Sequence, residues 1–357
     1  MASVELDRKK LKHNYDFIRE RFDERNIEWG VVTKLLCGNK LYIQEVLDLG
    51  VKEVHDSRIR NLQVVKQLNP DVQTVYIKPP AKRAIKSLVK YADVSLNTEY
   101  VTIKMISDEA KRQNKLHKIV IMIELGDLRE GVMGEELVDF YRKTFDLPNI
   151  KVVGLGANLN CLHGVMPSED KFIQLSLYKQ LIKAYFDYDI PSISGGTSVV
   201  LPMFYKNQLP ESVNHFRIGE TLFFGANIEE GTVFEGMHDD VFKLRTEIIE
   251  LTEKPMVPVG ELAENPSGDT LEVDESLYGK TSLRAILDVG LLDISPDFLL
   301  PYDENIEIVG ASSDMLVLDL GKSERDYKVG DLVDFRLKYM GALGIMNSNY
   351  IEKRLKN

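Results

Sequence analysis

The chain has 357 residues, 44% of them hydrophobic and 28% charged, with a formal net charge of −11. That is the composition of a soluble globular protein, with room for one large domain or two ordinary ones, and its sign argues against nucleic acid as the main partner. No apolar run is long enough to span a bilayer, and the opening Met-Ala-Ser-Val-Glu-Leu-Asp lacks the apolar core of a signal peptide.

In chain order, residues 3–7 read as a short strand and 8–23 as a helix. Val31-Val-Thr-Lys-Leu-Leu36 is an apolar, β-branched run between Gly30 and Gly38, the pattern of a strand buried on both faces. A helix is expected over 40–49, a strand from Val51 to His55 and a helix over 57–67. Next come a strand over 72–77 ended by Pro79-Pro80, a helix over 81–91, a strand over 93–96 and a helix over 98–113. A strand over 118–124, helix over 134–146, strand over 150–160 and helix over 168–187 follow, then strands at 192–194 and 216–224. This alternation specifies an α/β fold, and about eight units in roughly 200 residues fit a closed (β/α)8 TIM-like barrel. A doubly wound sheet would show Gly-x-Gly-x-x-Gly after its first strand, and none is present. Beyond residue 230, alternating polar and apolar residues at 242–251, 282–289, 306–309, 314–319 and 330–338 predict a C-terminal all-β domain, with a loop over 261–280.

Cys37 and Cys161 fall in expected core segments and read as reduced thiols of a cytoplasmic protein. The six histidines include no pair at metal-ligand spacing, so no structural metal is expected.

Barrel chemistry sits at the C-terminal ends of strands, where Lys34, Arg129, Asn158, Ser198 and Arg217 are expected. A lysine near the end of a core strand loses solvation and its pKa falls, which supplies the free amine that Schiff-base chemistry needs. The competing reading is a rim lysine that snorkels to water. Gly195-Gly196-Thr197-Ser198 brings backbone N–H groups and hydroxyls within reach of an anion such as phosphate, or is a flexible turn. In Arg217-Ile-Gly219-Glu220 the glycine again exposes backbone donors, and the arginine is either a fixed cation beside the anion or an ordinary surface residue. The loop Glu124-Leu-Gly-Asp127-Leu-Arg129-Glu130-Gly131 is a substrate-loop candidate or a solvated loop with local ion pairs, and Asn158, inside the expected strand, is a buried amide that a ligand is one way to satisfy. Ser312-Ser313-Asp314 reads first as a structural turn. One lysine, two glycine-rich anion segments and an arginine beside the second make a constellation for a phosphorylated aldehyde cofactor.

These residues resemble a known family, the alanine racemase-like, fold-type III enzymes that use pyridoxal 5′-phosphate. Ile123-Glu-Leu-Gly-Asp-Leu-Arg-Glu-Gly-Val132, Ser194-Gly-Gly-Thr-Ser198 and Gly310-Ala-Ser-Ser-Asp314 look most like its ornithine racemase branch. The resemblance implies a barrel over 8–228, with 1–7 and 229–357 forming a β-domain that completes the partner subunit's site in a homodimer. It implies an isomerase that removes and returns the α-proton of a basic amino acid, ornithine or lysine; the alternatives are a decarboxylase on the same scaffold, a racemase of another amino acid such as alanine or serine, and a non-catalytic pyridoxal-phosphate carrier. Lys34 becomes the Schiff-base lysine, and Gly196, Thr197, Ser198, Gly219 and Glu220 the phosphate site. Arg217 would face the pyridine nitrogen and Arg129 lie near the phenolic oxygen. Asn158 would stand where alanine racemases carry a histidine, and Tyr350 would reach the phosphate. Two departures stand out. Leu291 occupies the place of the second catalytic base, which leaves Asp314 and Asp293 as candidates. Met122 replaces the lysine that can carry a carbamate, so Arg129 must be held otherwise.

Overall fold

Short strands whose residues are nearly all buried are what a closed parallel barrel demands, since helices cover its outside and side chains fill its inside. The computed structural model describes residues 2–264 and 270–356. After β1 (Ser3–Asp7) and α1 (Arg8–Asp23), the chain runs through β2 (Glu28–Val32), α2 (Lys40–Asp48), β3 (Glu53–Asp56), α3 (Ile59–Leu68) and β4 (Gln73–Tyr76). It continues through α4 (Ile85–Tyr91), β5 (Val94–Asn97), α5 (Tyr100–Arg112), β6 (His117–Met122), α6 (Leu137–Phe145) and β7 (Ile150–Gly156). Then come α7 (Glu169–Phe186), β8 (Ser192–Thr197), α8 (Leu201–Tyr205), β9 (His215–Ile218) and α9 (Glu220–Phe224). Strands β2 to β9 pair in sequence order and close as a barrel, with β9 returning to β2 through Gly30↔Arg217 and Val31↔Ile218. The expected barrel is therefore the observed one.

The chain divides into two compact units. The barrel unit is Arg8–Val241, so it also holds the small hairpin of β10 (Ala226–Asn227) and β11 (Thr232–Val233). The second unit joins the first residues up to Asp7 to Phe242–Lys356. Its centre is β12 (Phe242–Pro255), flanked by β13 (Thr281–Leu287) on one side and, past β14 (Leu299–Pro301), β15 (Glu307–Ala311) and β16 (Leu316–Asp319), by β17 (Leu332–Leu337) on the other. Phe242, Leu244 and Ile248 alternate inward along β12 and pack a core with Leu287, Leu316, Leu318 and Phe335. β1 pairs antiparallel with β12, and the last strand, β18 (Glu352–Lys356), adds in parallel to β1 after α10 (Tyr339–Asn347).

Several expected strands end early, two of them at turns that carry candidate residues. The run from Val31 to Leu36 leaves the sheet after Val32, and Lys34–Leu36 turn as a short 3-10 helix. The run from Phe216 to Phe224 breaks at Gly219, and Glu220–Phe224 is helical. In both places the apolar residues are buried as their composition requires, with Leu35, Leu36, Leu222 and Phe223 at most 1% exposed. Burial of a short apolar run does not distinguish strand from turn, so periodicity misreads the end. The 150–160 strand likewise stops at Gly156, which leaves Asn158 in a loop, and β16 starts at Leu316, two residues past Asp314. The cysteines are not in the core: Cys37 is half-buried and Cys161 exposed. Within the expected loop over 261–280, residues 265–269 lie outside the described residues, and Glu275–Leu277 form a single 3-10 turn.

Candidate active site at the barrel mouth

Lys34 is the second residue past β2 on the C-terminal side, after the buried Thr33, and is held by the two buried leucines that follow it. It is exposed, so the burial expected of a core-strand lysine is not what the fold provides. The turn carries it above the barrel end instead, where a side chain reaches a ligand rather than the core. Glu220, half-buried at the corresponding end of β9, is its electrostatic neighbour: burial raises the Glu220 carboxyl, and Lys34 pulls it back.

Arg217 is a buried cation inside the barrel unit. It is 2% exposed, and burial lowers its guanidinium to about 10. Desolvating a cation costs several kcal/mol unless hydrogen bonds replace the lost water, at about 1.5–3 kcal/mol for each bond to a charged group. The replacement is specific. Nη2 donates to the Ala157 carbonyl at 2.8 Å and to Asn158 Oδ1 at 2.6 Å, while Nη1 donates to Ser194 Oγ. Among the described residues no carboxylate forms an ion pair with it.

Asn158 spends its other end on Glu130, donating from Nδ2 to Oε1. Glu130 in turn pairs with Arg129, whose Nη2 donates to Oε1 at 2.7 Å and whose Nε donates to Oε2. Met122 is fully buried beside Val75, Val94 and Leu96, so Glu130 is the group that holds Arg129. The loop bearing both is pinned by Asp127, 2% exposed, whose carboxylate accepts from the backbone N–H groups of Cys161, Leu162, His163 and Val165. Burial raises the Asp127 carboxyl, but those bonds outweigh it and hold it below the ordinary range.

The two glycine-rich segments meet. Ser198 Oγ, buried at 3% exposure, accepts from the Thr221 N–H at 3.1 Å and so ties the loop after β8 to the turn after β9. Gly196 has a φ of +124°, which a side chain rarely adopts. A Cβ at Gly219 would stand 3.1 Å from the Val32 Cβ. Thr197 and Glu220 flank these glycines, half-buried. Lysine, glycine cradle with buried hydroxyl, and a buried arginine with only neutral acceptors fit pyridoxal phosphate: amine for the aldehyde, backbone and hydroxyl donors for the phosphate, a fixed donor for the ring nitrogen.

In the β-unit, the corner after β13 packs on the turn before β16. Leu291 and Leu292 donate their N–H groups to the Ser312 and Ser313 carbonyls, and a Cβ at Gly290 would meet the Asp314 backbone at 2.5 Å. Asp314 is exposed and accepts from Ser313 Oγ at 3.1 Å and Ser312 Oγ at 3.4 Å, the structural Ser-Ser-Asp turn. Asp293 is half-buried and accepts from Ser348 Oγ at 2.6 Å. Leu291 is 41% exposed and Tyr350 78% exposed.

Sequence reasoning passed over Glu130 as a partner and gave no role to Ser194, His215, Glu53 or His55. The last three bring their ligand-type atoms within 4.8 Å of one another, from residues far apart in the chain. A signal was present: Glu53-Val-His55 puts two polar groups on the same side of a barrel strand.

A (β/α)8 barrel with a lysine and an anion cradle at its C-terminal mouth, followed by an antiparallel β-unit, defines the two-unit fold expected from the sequence. The family model "Alanine racemase, N-terminal domain" matches residues 6–227. An ornithine racemase of Acetoanaerobium sticklandii is 35% identical over 353 residues, 99% of each chain. A lysine racemase of Thermotoga maritima is 30% identical over 348 residues, 98% of this chain and 96% of that one. The crystal structure of alanine racemase from Bartonella henselae with covalently bound pyridoxal phosphate superposes with a TM-score of 0.75 at 14% identity, over 99% of both chains. The chain belongs to the alanine racemase family.

Proposed function

We propose that the barrel mouth holds pyridoxal phosphate on Lys34 and that the protein interconverts the L and D forms of a basic amino acid, ornithine foremost. The protein is a pyridoxal-phosphate-dependent amino-acid racemase, an isomerase. The names of the two curated relatives, ornithine racemase and lysine racemase, support the basic substrate. Bound pyridoxal phosphate supplies the electron sink that acidifies the substrate's α-carbon.

The observation that carries the reading is Arg217, a buried guanidinium met only by neutral acceptors. Arg217 would donate to the ring nitrogen and would not give up its proton there, so it would limit how far charge is drawn off. That favours brief removal and return of a proton over loss of a carboxyl group. Gly196, Thr197, Ser198, Gly219 and Glu220 bind the phosphate, and Tyr350 adds a hydroxyl to it. Arg129, steadied by Glu130, and Asn158 orient the cofactor's other edge. Lys34 Nζ takes or returns the proton on one face. The opposite face needs a second group, and a leucine at position 291 transfers none. The partner subunit's Asp314 serves there, with Asp293 as the fallback, in a homodimer whose sites are shared. We place the enzyme in the cytoplasm; no helix among the described residues is long and apolar enough to cross a membrane.

A chiral assay of both enantiomers of ornithine, lysine and alanine tests this. Racemisation of ornithine, with lysine slower and alanine slowest, is the expected result. Release of carbon dioxide, or a preference for alanine, would contradict it.

A further inference from the structure

Below the mouth, the barrel interior contains a line of polar side chains that runs from Arg217 on β9 through β8 to β3 and β4. Arg217 Nη1 donates to Ser194 Oγ, which lies 2.9 Å from His215 Nδ1. His215 Nε2 lies 3.1 Å from Glu53 Oε2, and His55 Nε2 lies 2.9 Å from the same oxygen. Gln73 Nε2 donates to the other Glu53 oxygen at 2.7 Å. The two imidazoles stack with ring centroids 5.6 Å apart.

Chemistry fixes the first bond and orders the rest. A guanidinium only donates, so Ser194 Oγ must accept from Arg217. Its single hydrogen can then go to His215 Nδ1, with the His215 N–H on Nε2 aimed at Glu53, the arrangement in which every bond of the line runs the same way. His55 donates from Nε2 as well, and its Nδ1 is buried with no partner among the described residues. Burial drops the His55 imidazole to about 4, so it is neutral and its one proton is on the bonded nitrogen. Burial raises the Glu53 carboxyl, but the bonds from His215 and His55 outweigh it and keep it ionised.

The backbone makes room for this line. A Cβ at Gly30, the residue paired with Arg217 across the barrel seam, would collide with the His55 ring. A Cβ at Gly156 would stand 3.0 Å from the Ser194 Cβ and 3.6 Å from Arg217 Nη1. Two strands have thus given up side chains where the line passes. An apolar filling would have been simpler, and an unsatisfied line costs more than none.

We propose that Ser194, His215 and Glu53 are positioning residues, a one-way hydrogen-bond relay that fixes the Arg217 guanidinium where it meets the pyridine nitrogen. The relay gives the buried cation a counter-charge at a distance. A carboxylate in direct contact would engage the guanidinium in a fork and turn it from the ring. The proposal rests on the reading of Arg217 given under "Proposed function".

Nitrogen-15 NMR of the histidine-labelled holoenzyme tests the relay without any substitution. The expected spectrum has His215 protonated on Nε2 and bare on Nδ1. A proton on Nδ1, or an Nε2 without one, as coordination of a metal ion would leave it, overturns the relay. Two variants add the cofactor. Ser194→Ala should weaken pyridoxal phosphate binding to the apoenzyme about tenfold and lower kcat about tenfold with KM unchanged, the loss of one hydrogen bond to a charged group. Arg217→Gln should shift the cofactor's absorption spectrum and lower kcat further. If Arg217→Gln leaves both unchanged, the reading of Arg217 fails. If it changes them and Ser194→Ala does not, the relay alone fails.

Discussion

The barrel mouth and the corner of the β-unit both contain carboxylates, and the two regions use them differently. At the mouth, Glu130 reaches Arg217 only through Asn158, and Glu53 reaches it only through His215 and Ser194. The cation is left with a donor for something else. At the corner, Asp314 and Asp293 are capped by serine hydroxyls from their own unit. Nothing within the β-unit distinguishes them from turn residues. By what its polar groups leave unspent the mouth has the makings of a site in itself, whereas the corner would become one only by supplying a group to another subunit, as proposed.

The largest expected effect tests that contrast directly. Lys34→Ala should abolish racemisation and all α-proton exchange. Asp314→Asn should also abolish racemisation, yet leave solvent deuterium exchange into one enantiomer, through Lys34. Deuterium incorporation followed by NMR during turnover reads both. Full racemisation by Asp314→Asn would reduce the corner to a structural turn, and Asp293→Asn would then be measured in the same way.

A smaller effect concerns stability, and it belongs to the barrel interior. His55 and His117 are lowered by burial from 6.5 to about 4. Between those values the unfolded chain takes up protons that the fold refuses, so stability falls as pH drops from 6.5 to 4, on the order of 3 kcal/mol per histidine. Asp56 acts in the opposite sense. Burial raises it from 3.8 to about 6, so the fold keeps a proton that the unfolded chain has lost, and stability falls as pH rises across that window. Two histidines outweigh one aspartate. Trp29, the only tryptophan, sits on β2 and reports barrel unfolding. Its denaturant midpoint should fall between pH 6.5 and 4.5, and Asp56→Asn should steepen the fall. A level midpoint would contradict the burial of these groups as uncharged imidazoles.

Much of this was legible in the sequence, for physical reasons that also explain the misses. The strand–helix rhythm specified the barrel because each unit must bury one apolar strand. At a strand end Arg217 reads as either a fixed cation or a surface residue, and its burial comes only with the closed barrel. Strand ends were misread at Lys34 and Glu220 because turn and strand bury Leu35 or Phe223 equally well. Glu130's hold on Arg129 was hidden because sequence gives the charges of a loop but not their pairing. The relay was hidden for a deeper reason: Glu53, Ser194 and His215 meet only because the barrel closes.

The central claim is that Lys34 carries the cofactor. Borohydride reduction of the pyridoxal-phosphate-loaded enzyme, digestion and peptide mapping measure it most directly. The account predicts a single phosphopyridoxyl peptide containing Lys34, absent from Lys34→Ala. The label on a peptide from any other lysine would contradict it.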